Sequence, residues 1–121
     1  MVEGELHIKP LSSNKAWQGR RFSTTEKKRY EEEVLLSLQK PQDALQGDLE
    51  LELVFYLVHP KRSDVDNLVK IQQDLLQKRG FFKNDNQIVS LIARKEQADI
   101  ESWSFKIYGM TNIFRIRGGQ R

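Results

Sequence analysis

The chain has no cysteine, which excludes disulfides and thiolate-held zinc outright and fits a reducing compartment. Its only histidines, His7 and His59, are too few to build a zinc centre. No apolar run approaches the ~20 residues of a membrane span, and Met1-Val2-Glu3-Gly4-Glu5 is too acidic to begin a signal peptide. Internal repeats and linker-like stretches are missing as well. At 121 residues the chain has room for one domain with a real core but not for two. The expectation is a soluble, cytoplasmic single domain without membrane partners and without a small-molecule cofactor.

Charge is plentiful and unevenly placed. Net charge is only +3, yet residues 9 to 29 hold seven basic side chains against Glu26 alone, and residues 106 to 121 hold four with no acid. The body between them carries nine basic and fourteen acidic residues. An acidic body between basic arms suits a polyanion held beside a cation site.

Apolar spacing gives the element order. Leu6 and Ile8 alternate with Glu5, His7 and Lys9 ahead of Pro10, which predicts a short half-buried strand. Ser23 stands three residues before Glu26, and Tyr30, Val34 and Leu38 follow at helical spacing until Pro41, which predicts a helix over about 24 to 39. Leu49, Leu51 and Leu53 alternate with acids before the fully apolar Val54 to Val58, the pattern of a strand entering the centre of a sheet. A second helix follows His59-Pro60, with Leu68, Ile71, Leu75 and Leu76 as its buried stripe and Gly80 as its C-terminal cap. Ile88 to Ala93 and Ile100 to Tyr108 then predict two strands joined as an antiparallel hairpin. The result is an α+β domain in β-α-β-α-β-β order, a mixed sheet with two helices, over residues 1 to 108. Residues 109 to 121 form a basic C-terminal extension.

The chemistry gathers in Ser63-Asp64-Val65-Asp66-Asn67-Leu68-Val69-Lys70 and in Asp85 after the second helix. Asp64 and Asp66 fall where a helix begins, so they serve equally as caps for free amides and as oxygen ligands for a hard divalent cation. Ser63 with Asp66 even has capping-box spacing. A calcium loop starting at Asp64 fails, because Leu68, Val69 and Leu75 would occupy ligand or turn positions. Lys70 lies four residues after Asp66, placed either for an exposed ion pair or for an ammonium that meets charge developing on a phosphate. Asp85 joins Asp64 and Asp66 only if the chain doubles back. Three carboxylates without His or Cys favour Mg²⁺ or Mn²⁺ over zinc and leave positions for water and phosphate oxygens. In the first basic arm Asn14, Lys15, Trp17, Arg20 and Arg21, with Phe22, interleave cations and flat rings. That arm is either a nucleic-acid contact or a solvated loop whose rings fold back on the core.

The run Asp64-Val65-Asp66-Asn67-Leu68-Val69-Lys70, followed by Gly80-Phe81-Phe82 and Asn84-Asp85-Asn86-Gln87-Ile88, resembles the RusA family of Holliday junction resolvases of bacteria and prophages. Lys95 matches a later lysine of that pattern, and Pro10, Ser13-Asn14, Trp17, Arg20 and Tyr30 match its upstream loop and helix tyrosine. The likeness covers roughly residues 5 to 108, and Asn84 departs from it where the family commonly has a second aspartate. The resemblance implies a homodimeric, Mg²⁺-dependent endonuclease that resolves four-way DNA junctions by paired symmetric cuts in recombination and repair. Asp64, Asp66 and Asp85 would be metal ligands and Lys70 the catalytic helper, with Asn14, Lys15, Trp17, Arg20, Arg21, Asn67 and Lys95 on the DNA. A two-fold junction cut twice asks for a two-fold protein pair. The competing reading is a non-catalytic DNA-binding or regulatory protein whose acids are caps; a third is a metal nuclease acting on RNA or flaps.

Overall fold

Leu49, Leu51, Leu53, Phe55 and Leu57 are all at most 4 % exposed, and the strand that carries them forms the spine of the molecule. The computed structural model describes residues 1–13 and 25–110. Its elements run β1 (Val2–Leu6), α1 (Thr25–Ser37), β2 (Leu49–Leu57), a 3₁₀ turn at Pro60–Arg62, α2 (Val65–Arg79), a second 3₁₀ turn at Asp85–Gln87, β3 (Ile88–Gln97) and β4 (Ser102–Gly109). The four strands make one mixed sheet in the order β1-β4-β2-β3. Among the described residues this is a small α+β fold with two helices on a four-stranded sheet.

The odd-numbered face of β2 builds a single core. Trp103, Phe105 and Ile107 of β4, Tyr30 and Val34 of α1, and Leu68, Ile71, Leu75 and Leu76 of α2 all join it. Both helices therefore cover the same side of the sheet. Arg79 ties them together at their far ends by donating from Nε to the Leu38 carbonyl at 2.8 Å. The opposite side is polar: Arg94 bridges Glu52 and Glu96, and Ser90 donates to Glu50 at 2.8 Å.

Two glycines are required by geometry. Gly80 sits at φ 105° after α2, with its N–H on the Gln77 carbonyl and the Phe81 N–H on the Leu76 carbonyl, a left-handed cap closed by apolar neighbours. At Gly4 a Cβ would lie 2.6 Å from the Phe105 ring, so only glycine lets β1 lie flat against β4.

Three sequence expectations are corrected. The first strand is Val2–Leu6 and stops short of Ile8, because β4 begins at Ser102, one residue before Trp103, the partner of Leu6, and offers no backbone beyond it. The first helix, expected over about 24 to 39, is described as Thr25–Ser37 and ends two residues early; residue 24 and the expected capping residue Ser23 lie outside the described residues. The expected hairpin does not form: β3 pairs in parallel with β2, and β4 pairs antiparallel with the other edge of β2. The short connection at Ala98–Glu101 instead steps across the end of β2, a span of about 9.5 Å for two strand spacings. That crossing is pinned by the Ala98 N–H on the Leu57 carbonyl at 2.9 Å and the Val58 N–H on the Glu101 carboxylate at 3.3 Å. The physical reason is that β2 is apolar on nearly every residue and gains most at the centre, which leaves β3 as an edge strand.

Candidate active site

Helix α2 starts at the end of β2. Asp64 is its N-terminal flanking residue, extended at φ −78° and ψ 141°, and its side chain makes no capping hydrogen bond. The capping-box reading of Ser63 and Asp66 is therefore not realised. Only the Asp64 backbone carbonyl takes part, accepting from the Asn67 N–H at 3.2 Å, while an Asp66 carboxylate oxygen accepts from the same N–H at 3.1 Å. Both carboxylates are exposed, and among the described residues neither forms an ion pair.

The segment leading into Asp64 is fixed from β3. The Lys95 ammonium donates to the Pro60 and Ser63 carbonyls, both at 2.8 Å. Lys95, expected on DNA, makes these two hydrogen bonds to the backbone just ahead of the two acids. The sequence matched Lys95 to a motif but gave no sign of this role, since the contact spans 32 residues to Ser63.

Asp85 occupies the other end of the sheet. Helix α2 runs back along β2 for 15 residues, about 22 Å at 1.5 Å per residue. Gly80 then turns the chain, Phe82 bridges Leu45, and β3 begins beside Leu49, the first residue of β2. One copy of the chain thus does not bring Asp85 to Asp64 and Asp66, which corrects the expectation that the turn returns it there. Parallel pairing is the cause: β2 and β3 start at the same end, and the residues before β3 must lie there too. Among the described residues no three acidic or imidazole side chains converge as a metal-holding group.

The turn bearing Asp85 is rigidly built by Gln87, a residue that sequence reasoning carried only as part of a motif. Its amide oxygen accepts from the Lys83 and Asn84 N–H groups at 3.0 and 3.1 Å, and its Nε2 donates to the Leu45 and Gly47 carbonyls at 3.0 Å each. Asn84 accepts from the Asn86 N–H at 3.1 Å, a capping role that suits asparagine. Asp85 itself is exposed.

Lys70 pairs forward with Asp74 at 3.3 Å rather than back to Asp66, with both side chains more than half exposed. Such a pair contributes about 0.3–0.5 kcal/mol, so its ammonium is readily diverted. Asn67, expected on DNA, accepts from the Ser13 hydroxyl at 3.0 Å. Deeper in, the Tyr30 hydroxyl donates to Gln72 at 2.7 Å, and Gln72 donates to the Leu11 and Leu68 carbonyls. Burial pushes the Tyr30 phenol well above its ordinary pKa, so it stays a neutral donor. These contacts fix residues 11 to 13 to the first turns of α2. Asn14, Lys15, Trp17, Arg20, Arg21 and Phe22, expected to contact DNA, lie outside the described residues.

A cleft at the Asp64 end of the sheet is lined among others by Lys9, Arg29, His59, Arg62 and Ser63. Arg62 escaped the sequence analysis because its cationic neighbours come from distant segments. Among the described residues no helix is long and apolar enough to cross a membrane.

The family model described as Endodeoxyribonuclease RusA matches residues 8–107. A search of curated proteins finds no match to the chain.

Proposed function

The chain belongs to the RusA endodeoxyribonuclease family, and from that membership we propose that it is a Mg²⁺-dependent nuclease that resolves four-way DNA junctions by paired, symmetric phosphodiester cuts. The family implies a junction-resolving nuclease; the ion, the pairing and the residues are this proposal's content. The observation that carries it is the pair of exposed carboxylates at the N-terminus of α2: Asp64 makes no capping bond, Asp66 accepts only from the Asn67 N–H, and among the described residues neither forms an ion pair.

The donor set fits a hard cation. Asp64 and Asp66 offer only oxygen, exposed and separated by one residue, as Mg²⁺ prefers with its remaining positions left to water and phosphate. A third carboxylate must come from elsewhere, and Asp85 stands at the opposite end of its own protomer. The proposal therefore assigns the third position to the partner's Asp85 in a homodimer, so that each of two sites draws on both chains. When bound there, the ion supplies charge neutralisation at the phosphate and a more acidic attacking water.

The protein's own groups do the rest. Lys95 holds the Pro60–Ser63 backbone and so the aim of Asp64. Gln87 holds the turn that presents Asp85. Lys70, on the exposed face of α2, exchanges Asp74 for the phosphate oxygens on which negative charge builds during hydrolysis. Asn67 and Gln72 hold residues 11 to 13, just ahead of the basic arm, to the same helix.

The test is a synthetic four-way junction incubated with Mg²⁺, with and without Asp66→Asn. Paired nicks from the parent protein and none from the variant support the proposal. Intact junction binding with no nicks at any divalent ion leaves the non-catalytic DNA-binding reading in its place, and preferential cleavage of RNA or flaps replaces the substrate.

A further inference from the structure

Helices α1 and α2 lie side by side with their starts at the same end: the Tyr30 hydroxyl meets Gln72, and Arg79 meets the Leu38 carbonyl. The groove between them is lined, among the described residues, by Lys27, Lys28, Lys70 and Lys78 against only Glu31 and Asp74. Four cations against two acids leave it two positive charges in excess. The cleft beside Ser63, its histidines apart, balances Lys9, Arg29 and Arg62 with Glu26, Glu33 and Glu101. The positive excess therefore lies between the helices.

These cations are arranged rather than scattered. Glu31 takes Lys27 of its own helix at 3.1 Å and Lys78 of the other at 3.2 Å, which draws an ammonium from each helix into the groove. An ammonium has three donors, so one bond to Glu31 leaves Lys78 able to meet a second anion. Lys70 and Lys78 stand eight residues apart on one face of α2, about 12 Å along its axis. The basic segments of the chain itself are poor occupants. Residues 14 to 24 and 111 to 121 each carry three Lys or Arg side chains and no acid, so like charge disfavours them here.

We propose that the groove between α1 and α2 holds the phosphate backbone of the junction arm that leads away from the cut, with Lys28 and Lys78 as its phosphate contacts. The inference rests on the reading of branched DNA as the substrate and adds the path that one of its arms takes. Lys70, at one end of the groove, is the ammonium assigned to the phosphate being cut. At about 3.4 Å of rise per nucleotide, 12 Å of groove covers three to four nucleotides beyond it. Contacts to phosphate carry no sequence information, so the groove sets the direction of the arm and not its sequence.

The test is junction binding by fluorescence anisotropy, in EDTA and over a range of salt, so that no cut is needed. Lys28→Gln and Lys78→Gln should each make log affinity against log salt shallower by about 0.9, and together weaken binding about tenfold. Lys106→Gln, paired with Glu52 on the opposite side of the sheet, should leave the slope unchanged. Single neutral methylphosphonates, walked outward from the branch point, should weaken the parent at one to four positions and cost the double variant nothing there. Slopes equal to the parent's in variants with its circular dichroism spectrum, or a methylphosphonate cost that persists in the double variant, overturn the proposal and leave the nuclease reading standing. Preference for polyglutamate over DNA overturns it as well. A parent that meets every binding expectation yet never cuts the junction with any divalent ion supports the groove and sinks the nuclease reading alone.

Discussion

The ammonium of Lys95 and the carbonyl of Ser63 are 2.8 Å apart, and the residue after Ser63 is Asp64. A cation near the end of the sheet's edge strand thereby governs the backbone from which the first candidate ligand projects. With Pro60 as second acceptor, two charge-assisted hydrogen bonds hold the turn. Each such bond is worth about 1.5–3 kcal/mol.

Lys95→Met is therefore expected to lower the thermal midpoint by several degrees, at about 4 °C per kcal/mol for a chain of this size. It should also raise the Mg²⁺ concentration needed for half-maximal junction cleavage by about tenfold, with junction affinity little changed. Lys95→Arg should recover part of the loss. A direct DNA contact predicts the reverse, weaker binding with unchanged Mg²⁺ dependence, and gel shift with Mg²⁺ titration separates the two.

Mixing two inactive variants tests the shared site. Asp64→Asn and Asp85→Asn, unfolded and refolded together, should give mixed dimers in which one site has all three carboxylates and the other has one. Random association makes about half the dimers mixed and restores about a quarter of the sites, seen as single rather than paired nicks. Activity no higher than the sum of the separate variants argues that each site is built within one chain.

Tyr30→Phe removes the donor to Gln72, leaving a fully buried amide oxygen without its partner. A cost of about 1–3 kcal/mol is expected in urea unfolding. Gln72→Leu should cost a comparable amount through the freed Leu11 carbonyl, and the double variant less than the sum of the two.

Glu31 lies between Lys27 at 3.1 Å and Lys78 at 3.2 Å, joining α1 to α2. Burial acts to raise its pKa, but hydrogen bonds and attraction from the two lysines outweigh that and hold it below the ordinary 4.5. A depressed carboxylate contributes stability that is present above 4.5 and lost as pH falls through the lower folded value. Glu31→Gln should lower the thermal midpoint at pH 7, where the paired carboxylate contributes, flatten the loss between about pH 5 and pH 3, and leave the two proteins nearly alike at pH 3.

The second helix was legible from its stripe of Leu68, Ile71, Leu75 and Leu76 and from Gly80, because helical period and a left-handed cap are local properties. The centrality of β2 was legible for a similar reason, its continuous apolar run. The pairing of β3 was not. Val89, Leu91 and Ile92 read the same whether their strand neighbours β4 or β2, and a short link to β4 suggested the wrong partner. Gln72, a polar residue at the end of a buried polar chain, gave no sign either, since its partners are the distant Tyr30 and Leu11.

The sequence by itself determined the family, the two helices, the apolar spine and the acids that open α2, because spacing along the chain encodes each of these. Tertiary structure alone decided that Lys95 serves the backbone before Asp64 and that Asp85 stands a helix length away from it. Strand order is settled by which edges bury the most apolar surface, a quantity summed over the whole chain. From that order follows the separation of Asp85 from Asp64 and Asp66.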